Sequence, residues 1–181
     1  MNWIPKRIRV FMRGTAQERP EKVRLSIEIT QHLVKRETSL ADALDTLTAV
    51  MLNALAAKYG DKDEFFRFNQ QVSMFLGSTE RDRAVVGGIP KKQPGALAAK
   101  VQPRPVTTAE ERAERVGHLA TEIGELLNKS RPSFSDGLDA LTGTMLTAIE
   151  ATCGRERADE FDLLMAEFSK EVIKLSGVRV Q

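Results

Sequence analysis

Ser39-Leu-Ala-Asp-Ala-Leu-Asp-Thr-Leu-Thr-Ala-Val-Met-Leu-Asn-Ala-Leu55 returns 94 residues downstream as Ser133-Phe-Ser-Asp-Gly-Leu-Asp-Ala-Leu-Thr-Gly-Thr-Met-Leu-Thr-Ala-Ile149, with 9 of 17 positions identical. The first stretch carries no charge from Thr46 to Ala57, and Leu44, Leu47, Val50, Met51, Leu52 and Leu55 surround much of a helical cylinder. A helix that is apolar on most sides belongs at the centre of a fold. Ser39 and Ser133 suit the helix start, where a hydroxyl accepts from a free backbone amide three residues on. Gly60 and Gly154, again 94 apart, suit the stop, because glycine adopts the left-handed conformation without strain.

Working outward, the same offset sets Leu25, Glu28, Ile29 and Leu33 on Leu119, Glu122, Ile123 and Leu127. Leu25, Ile29, His32 and Leu33 form one stripe of a helix that opens at Pro20 and ends about Arg36. Thr108-Ala-Glu-Glu111 is a capping box for its counterpart, whose stripe is Val116, Leu119, Ile123, Leu126 and Leu127. A third helix follows in each copy. The first carries Phe65, Phe68, Val72, Phe75 and Leu76 and is expected to stop near Gly77; the second carries Phe161, Leu164, Phe168, Val172 and Leu175. Here the offset drifts: 96 matches Glu64-Phe65 to Glu160-Phe161, and 100 matches Phe68 and Val72 to Phe168 and Val172.

The expected fold is all-α: a tandem duplication of a three-helix module, forming a six-helix bundle. Module one spans 21–76 and module two 109–181, with a basic N-terminal arm at 1–20 and a basic Pro/Gly linker at 77–108. Two copies are too few for a solenoid and point to an internal pair resembling a homodimer. The small residues Ala49, Ala54, Gly143 and Ala148 are expected to let the two central helices approach each other. A lone module of some 55 residues is marginal, since burial at that size covers only about 60% of the unfolded surface. One six-helix unit or an oligomer follows.

Composition narrows the class. At 181 residues the chain has room for one domain or two small ones, and 41% apolar with 29% charged residues argues against wholesale disorder. The uncharged apolar runs read as too short for a membrane helix, and no apolar segment follows Lys6, Arg7, Arg9 and Arg13 to make a secretory signal. A cytoplasmic location, or one within a virion or assembly, is the expectation. The single cysteine, Cys153, excludes a disulfide framework.

Charge is segregated. The arm and the linker each carry a net +4, whereas the modules carry −1 and −5. Lys6, Arg7, Arg9, Arg13, Lys91 and Lys92 are therefore candidates for contact with nucleic acid or an acidic partner. Aromatic stacking groups in the arms are limited to one tryptophan and one phenylalanine. Arg7-Ile-Arg-Val-Phe-Met12, Ala84-Val-Val86 and Val178-Arg-Val180 look strand-like and suit pairing with each other or with a partner's sheet edge.

Catalytic constellations are sparse. No phosphate-binding loop is present, because Gly87-Gly88-Ile-Pro-Lys lacks the spacing, and there is no His-Glu-x-x-His. His32 falls on an apolar stripe and reads as a core residue; His118 reads as a surface one, and Cys153 as an inert thiol. One acidic pattern remains, Glu122-x-x-Glu125 followed ten residues later by Asp136-x-x-Asp139. It resembles the Mg²⁺-binding arrangement of the all-helical nucleotide pyrophosphatases of the MazG type, over about twenty residues and with Asp136 at a position normally held by glutamate. The resemblance implies weak metal candidates in Glu122, Glu125, Asp136 and Asp139, provided they converge on one cavity. A carboxylate at the third position after a Ser cap also favours the helix dipole without any metal.

The expected function is that of a non-catalytic interaction or assembly protein, fastened by its basic arms to partner subunits, with no cofactor and no small-molecule substrate. Such duplicated helical plans occur among phage and mobile-element accessory proteins. The alternative is a nucleic-acid-binding protein; the third reading is the Mg²⁺-dependent pyrophosphatase. For partner recognition the candidates are Phe66, Met74 and Phe75. Phe66 lies about 100° from Phe65 and 160° from Phe68 around the helix, so one face cannot bury all three.

Overall fold

The computed structural model describes residues 19–87 and 108–175. Six helices fill them: α1 Arg19–Lys35, α2 Leu40–Tyr59, α3 Asp63–Gly87, α4 Ala109–Ser130, α5 Phe134–Cys153 and α6 Arg155–Leu175. The protein is all-α across the described residues.

The helix ends follow the local chemistry. Ser39 Oγ accepts from the Asp42 amide and Ser133 Oγ from the Asp136 amide, each at 3.1 Å. Thr108 and Glu111 form the reciprocal capping box. Gly60 and Gly154 close α2 and α5 at φ 74° and 89°, conformations that side chains with a Cβ resist. Helix α1 closes on Glu37 at φ 51°, with Thr38 N donating to Leu33 O and Glu37 N to Val34 O, the two bonds of a Schellman stop.

The expectation of an α3 stop near Gly77 is corrected. The helix runs on to Gly87 and absorbs Ala84-Val-Val86, which is helical and not strand-like. A glycine inside a helix costs only about 1 kcal/mol relative to alanine, and just beyond it Thr79 is buried while Arg157 of α6 donates to Ser78 Oγ at 2.6 Å and to Thr79 Oγ1 at 2.7 Å. The other two strand-like segments, Arg7–Met12 and 178–180, lie outside the described residues.

Helices α2 and α5 sit at the centre. Leu44, Leu47, Met51 and Leu55 on α2 and Leu141, Met145 and Ile149 on α5 are almost fully buried, and Thr48 Oγ1 lies 3.9 Å from Met145 Sδ across their interface. By length and mean hydropathy α2 could cross a membrane, contrary to the reading of its apolar run as too short; half of that span is buried against the other helices.

The outer helices have an unexpected arrangement. Helix α1 packs chiefly on α5, and α4 chiefly on α2, so each lies against the central helix of the opposite half of the chain. The small residues serve this arrangement. A Cβ on Gly143 would meet Ser26 Oγ of α1 at 3.6 Å, and Ser26 Oγ lies 3.1 Å from Thr144 Oγ1. Ala54 faces a groove shared with Ala120 and Gly124 of α4. Gly143 and Ala54 thus face α1 and α4, a correction to the expectation that they thin the α2–α5 contact.

Helices α3 and α6 close the bundle through aromatic rings. Phe68 stacks on Phe168 with centroids 3.9 Å apart, Phe65 meets the same ring edge-on at 6.2 Å, and Phe75 lies 5.1 Å from Phe161. The pairing of early α3 with late α6 makes the two helices antiparallel.

Candidate functional site

The carboxylates singled out in the sequence are all on the described helices, and the structure gives them protein partners. Lys22 of α1 reaches α5, where its Nζ lies 2.9 Å from Asp136 Oδ1 and 2.8 Å from Asp139 Oδ2. The Lys22 and Asp139 side chains are each only 5% exposed. On the opposite half, Arg112 of α4 donates to Asp42 Oδ1 at 2.9 Å and to Asp45 Oδ2 at 2.7 Å, and Arg115 adds a bond to Asp42 at 3.1 Å. Each Asp-x-x-Asp at the start of a central helix is thus filled by a cation from the first helix of the other half. The two clasps differ in weight. Arg112 and Arg115 are 43% and 46% exposed, so water screens their pairs to a fraction of a kcal/mol each. Lys22 is buried, and its pairs are not screened.

Ionisation reflects the same geometry. Burial opposes the charge of Lys22, but hydrogen bonds to Asp139 and Asp136 outweigh it and hold the ammonium above the ordinary lysine value. Burial likewise works against Asp136, yet bonds from Ser133 and Lys22 keep its carboxyl below the usual range. At Asp139 burial prevails over Lys22 and pushes the carboxyl up.

Glu122 heads a separate cluster. His32 Nε2 lies 2.8 Å from Glu122 Oε2, Arg36 pairs with the same carboxylate, and His118 Nδ1 stands 3.4 Å from Oε1. Both histidines of the chain therefore converge on one carboxylate where α1 meets α4, which their unrelated sequence positions did not reveal. His32 is half-buried in this contact and not a core residue. The hydrogen bond from His32, opposed by burial and aided by Arg36, holds Glu122 below the ordinary carboxylate range. The groove beside it, of about 420 Å³, is lined by Arg36, Asp42, Glu114, Arg115 and His118 among others.

The MazG-type quartet does not assemble. Lys22, at the Asp136–Asp139 end of α1, and His32, at the Glu122 end, are ten residues apart, or about 15 Å along the helix. Glu125 is exposed. An ammonium already stands between Asp136 and Asp139, where a cation would have to sit, so these residues do not fit a shared Mg²⁺. Among the described residues no group of three or more His, Cys, Asp or Glu side chains is placed to hold a metal.

Of the partner-binding candidates, Phe66 and Met74 are 64% and 65% exposed. Phe75 is corrected: it is buried against Phe161, with the Arg157 guanidinium 4.7 Å above its ring. Its place in the stripe with Phe68 and Val72 is the signal that identifies it as core. Lys6, Arg7, Arg9, Arg13, Lys91 and Lys92 lie outside the described residues. Cys153 is half-buried.

Compared with known proteins, the chain matches no family model, no curated protein sequence and no solved structure.

Two outcomes follow from the clasps. Lys22→Met leaves two carboxylates facing each other without their cation, and should cost about 3 kcal/mol, the lower end for a broken buried pair because Asp136 is partly exposed. Lys22→Met with Asp139→Leu should recover most of that loss; urea unfolding reads both. For Glu122, a depressed folded pKa means stability that is present above the ordinary glutamate value of 4.5 and lost as pH falls through and below it. Glu122→Gln should therefore lower Tm by about 2–4 °C near neutrality, the shift that 1 kcal/mol gives a chain of this size. The gap from wild type should narrow below pH 4.5, as followed by circular dichroism melts.

Proposed function

We propose that this chain is a non-catalytic interaction or assembly protein, built as an internally duplicated six-helix body whose basic arms fasten it to partner subunits. In this reading α1–α2–α3 and α4–α5–α6 are two copies of one module. The like-for-like packing of α1 on α5 and α4 on α2 supports it, as do matching caps at Ser39 and Ser133 and matching stops at Gly60 and Gly154.

The observation that carries the non-catalytic part is the use made of the acidic residues. Of the four metal candidates, Glu122, Asp136 and Asp139 are committed to cations of the neighbouring helix, as are Asp42 and Asp45, and Glu125 is exposed. Carboxylates neutralised in this way hold helices together and have little capacity left for substrate. The observation that supports an interaction role is the exposure of Phe66 and Met74, since exposed aromatic and methionine side chains are enriched where proteins bind each other.

The second reading, a nucleic-acid-binding protein, draws on the net +4 of each arm. One experiment separates the two. The protein is purified from its native host and weighed by native mass spectrometry with and without nuclease. The interaction reading expects an assembly larger than the 20.1 kDa chain that survives nuclease. Collapse to the bare chain on nuclease treatment would favour nucleic acid, and a bare monomer in both samples would contradict both.

A further inference from the structure

A groove of about 420 Å³ opens where α4 packs on α2 and meets the start of α5. Val50 and Ala54 of α2, Ala120 and Leu127 of α4, and Phe134 and Leu138 of α5 give it apolar walls. Gly124 and Gly137 add no side chain to it, and a Cβ on Gly124 would meet nothing within 4 Å. At the stop of α4 stands Arg131, exposed and held at φ 47°. It is the one charged residue in the lining, and no Asp or Glu faces the groove. Among the described residues Arg131 has no ion pair and no side-chain hydrogen bond, whereas Arg112 and Arg115 of the preceding helix are both paired.

The 94-residue offset supplies an internal comparison. In the first half Ser26, Thr30, Ala43 and Glu37 stand where the second half has Ala120, Gly124, Gly137 and Arg131. There Ser26 of α1 meets Thr144 of α5 at 3.1 Å, and Leu33 and Leu44 are buried at 6% and 0% exposed. Their counterparts Leu127 and Leu138 are only half-buried. The second half thus leaves apolar surface uncovered beside a cation. A volume of this size falls within the about 300–1,000 Å³ of small-molecule sites, which join apolar walls to a few polar groups that set orientation. One exposed guanidinium suits one carboxylate, which it grips through two parallel hydrogen bonds. The carboxylate stays at the rim in contact with water, so no charge is buried while the apolar body covers the walls. A phosphate, at about −1.5 to −2 near neutrality, would keep charge that a single arginine does not balance. An ammonium would be repelled.

We propose that this groove binds a monocarboxylate with an apolar body, of the class of a medium-chain fatty acid, with Arg131 on the carboxylate and the chain lying along Gly124 between α4 and α2. The site is separate from the clasps and from the basic arms, and it does not rest on the reading of the chain as an assembly protein.

The test follows the amide resonances of the isotope-labelled full chain during titration with octanoate, octanol and octylammonium. Octanoate should shift the amides of Gly124, Arg131 and Gly137 and saturate. Octanol should shift the same amides with about tenfold weaker affinity, having lost the charge-assisted pair, and octylammonium should bind more weakly still. Arg131→Gln should bring octanoate down to the affinity of octanol. Gly124→Leu should remove both while holding or raising Tm, since leucine is the better helix former and the first atom added meets open space. Should that variant lower Tm, Gly124→Ala adds only that first atom, and it should weaken octanoate with Tm raised. Absence of these shifts at millimolar octanoate, or octanol binding as tightly as octanoate, would overturn the proposal. So would an octanoate affinity left unchanged by Arg131→Gln or by the folded Gly124 variant.

Discussion

The position of α1 on α5, and of α4 on α2, is the constraint on which the rest of the structure depends. Neither outer helix takes the central helix next to it in sequence as its main support. Consequently the two halves share one core, which includes the fully buried Ile29 of α1 and Ile123 of α4. Buried Leu, Ile and Phe side chains supply most of the energy, at about 1.5–3 kcal/mol each. What they lack is direction, and the polar contacts provide it. Lys22 is held between Asp136 and Asp139, and Ser26 of α1 meets Thr144 of α5 beside Gly143.

How much of this was legible in the sequence depends on the range of each interaction. Caps and stops are set within four residues, so Ser39, Ser133, Thr108, Gly60 and Gly154 were identified from the chain alone. The buried stripes were equally readable, since period and polarity are local properties. Gly77 misled because its weak helix-breaking tendency is offset by contacts just beyond it, Arg157 of α6 on Ser78 and Thr79, which only the fold supplies. The clasp was not legible. Asp136 and Asp139 have the spacing of metal ligands, and only the fold brings in a lysine 117 residues from Asp139 to occupy the gap. The convergence of His32 and His118 on Glu122 is of the same kind, linking positions 90 residues apart for the first of them.

Charge organisation follows from the same packing. Asp42 and Asp136, in the first turns of α2 and α5, favour the helix dipole, and cations of α4 and α1 neutralise them together with Asp45 and Asp139. The body therefore uses these four carboxylates internally, while the net positive charge stays with segments outside the six helices. On the outer surface, α3 exposes Phe66 and Met74.

The claim that α1 belongs to α5 is open to direct chemistry. With Cys153→Ser to remove the native thiol, Ser26→Cys and Thr144→Cys place two thiols where hydroxyl oxygens now lie 3.1 Å apart, within side-chain reach of the about 2.05 Å sulfur–sulfur bond. Oxidation should give a bond within each chain, in near-quantitative yield, with Tm raised and mass unchanged by non-reducing electrophoresis. Thiols that stay free, or bonds formed only between chains, would show that α1 does not rest on its own chain's α5 and would contradict the account.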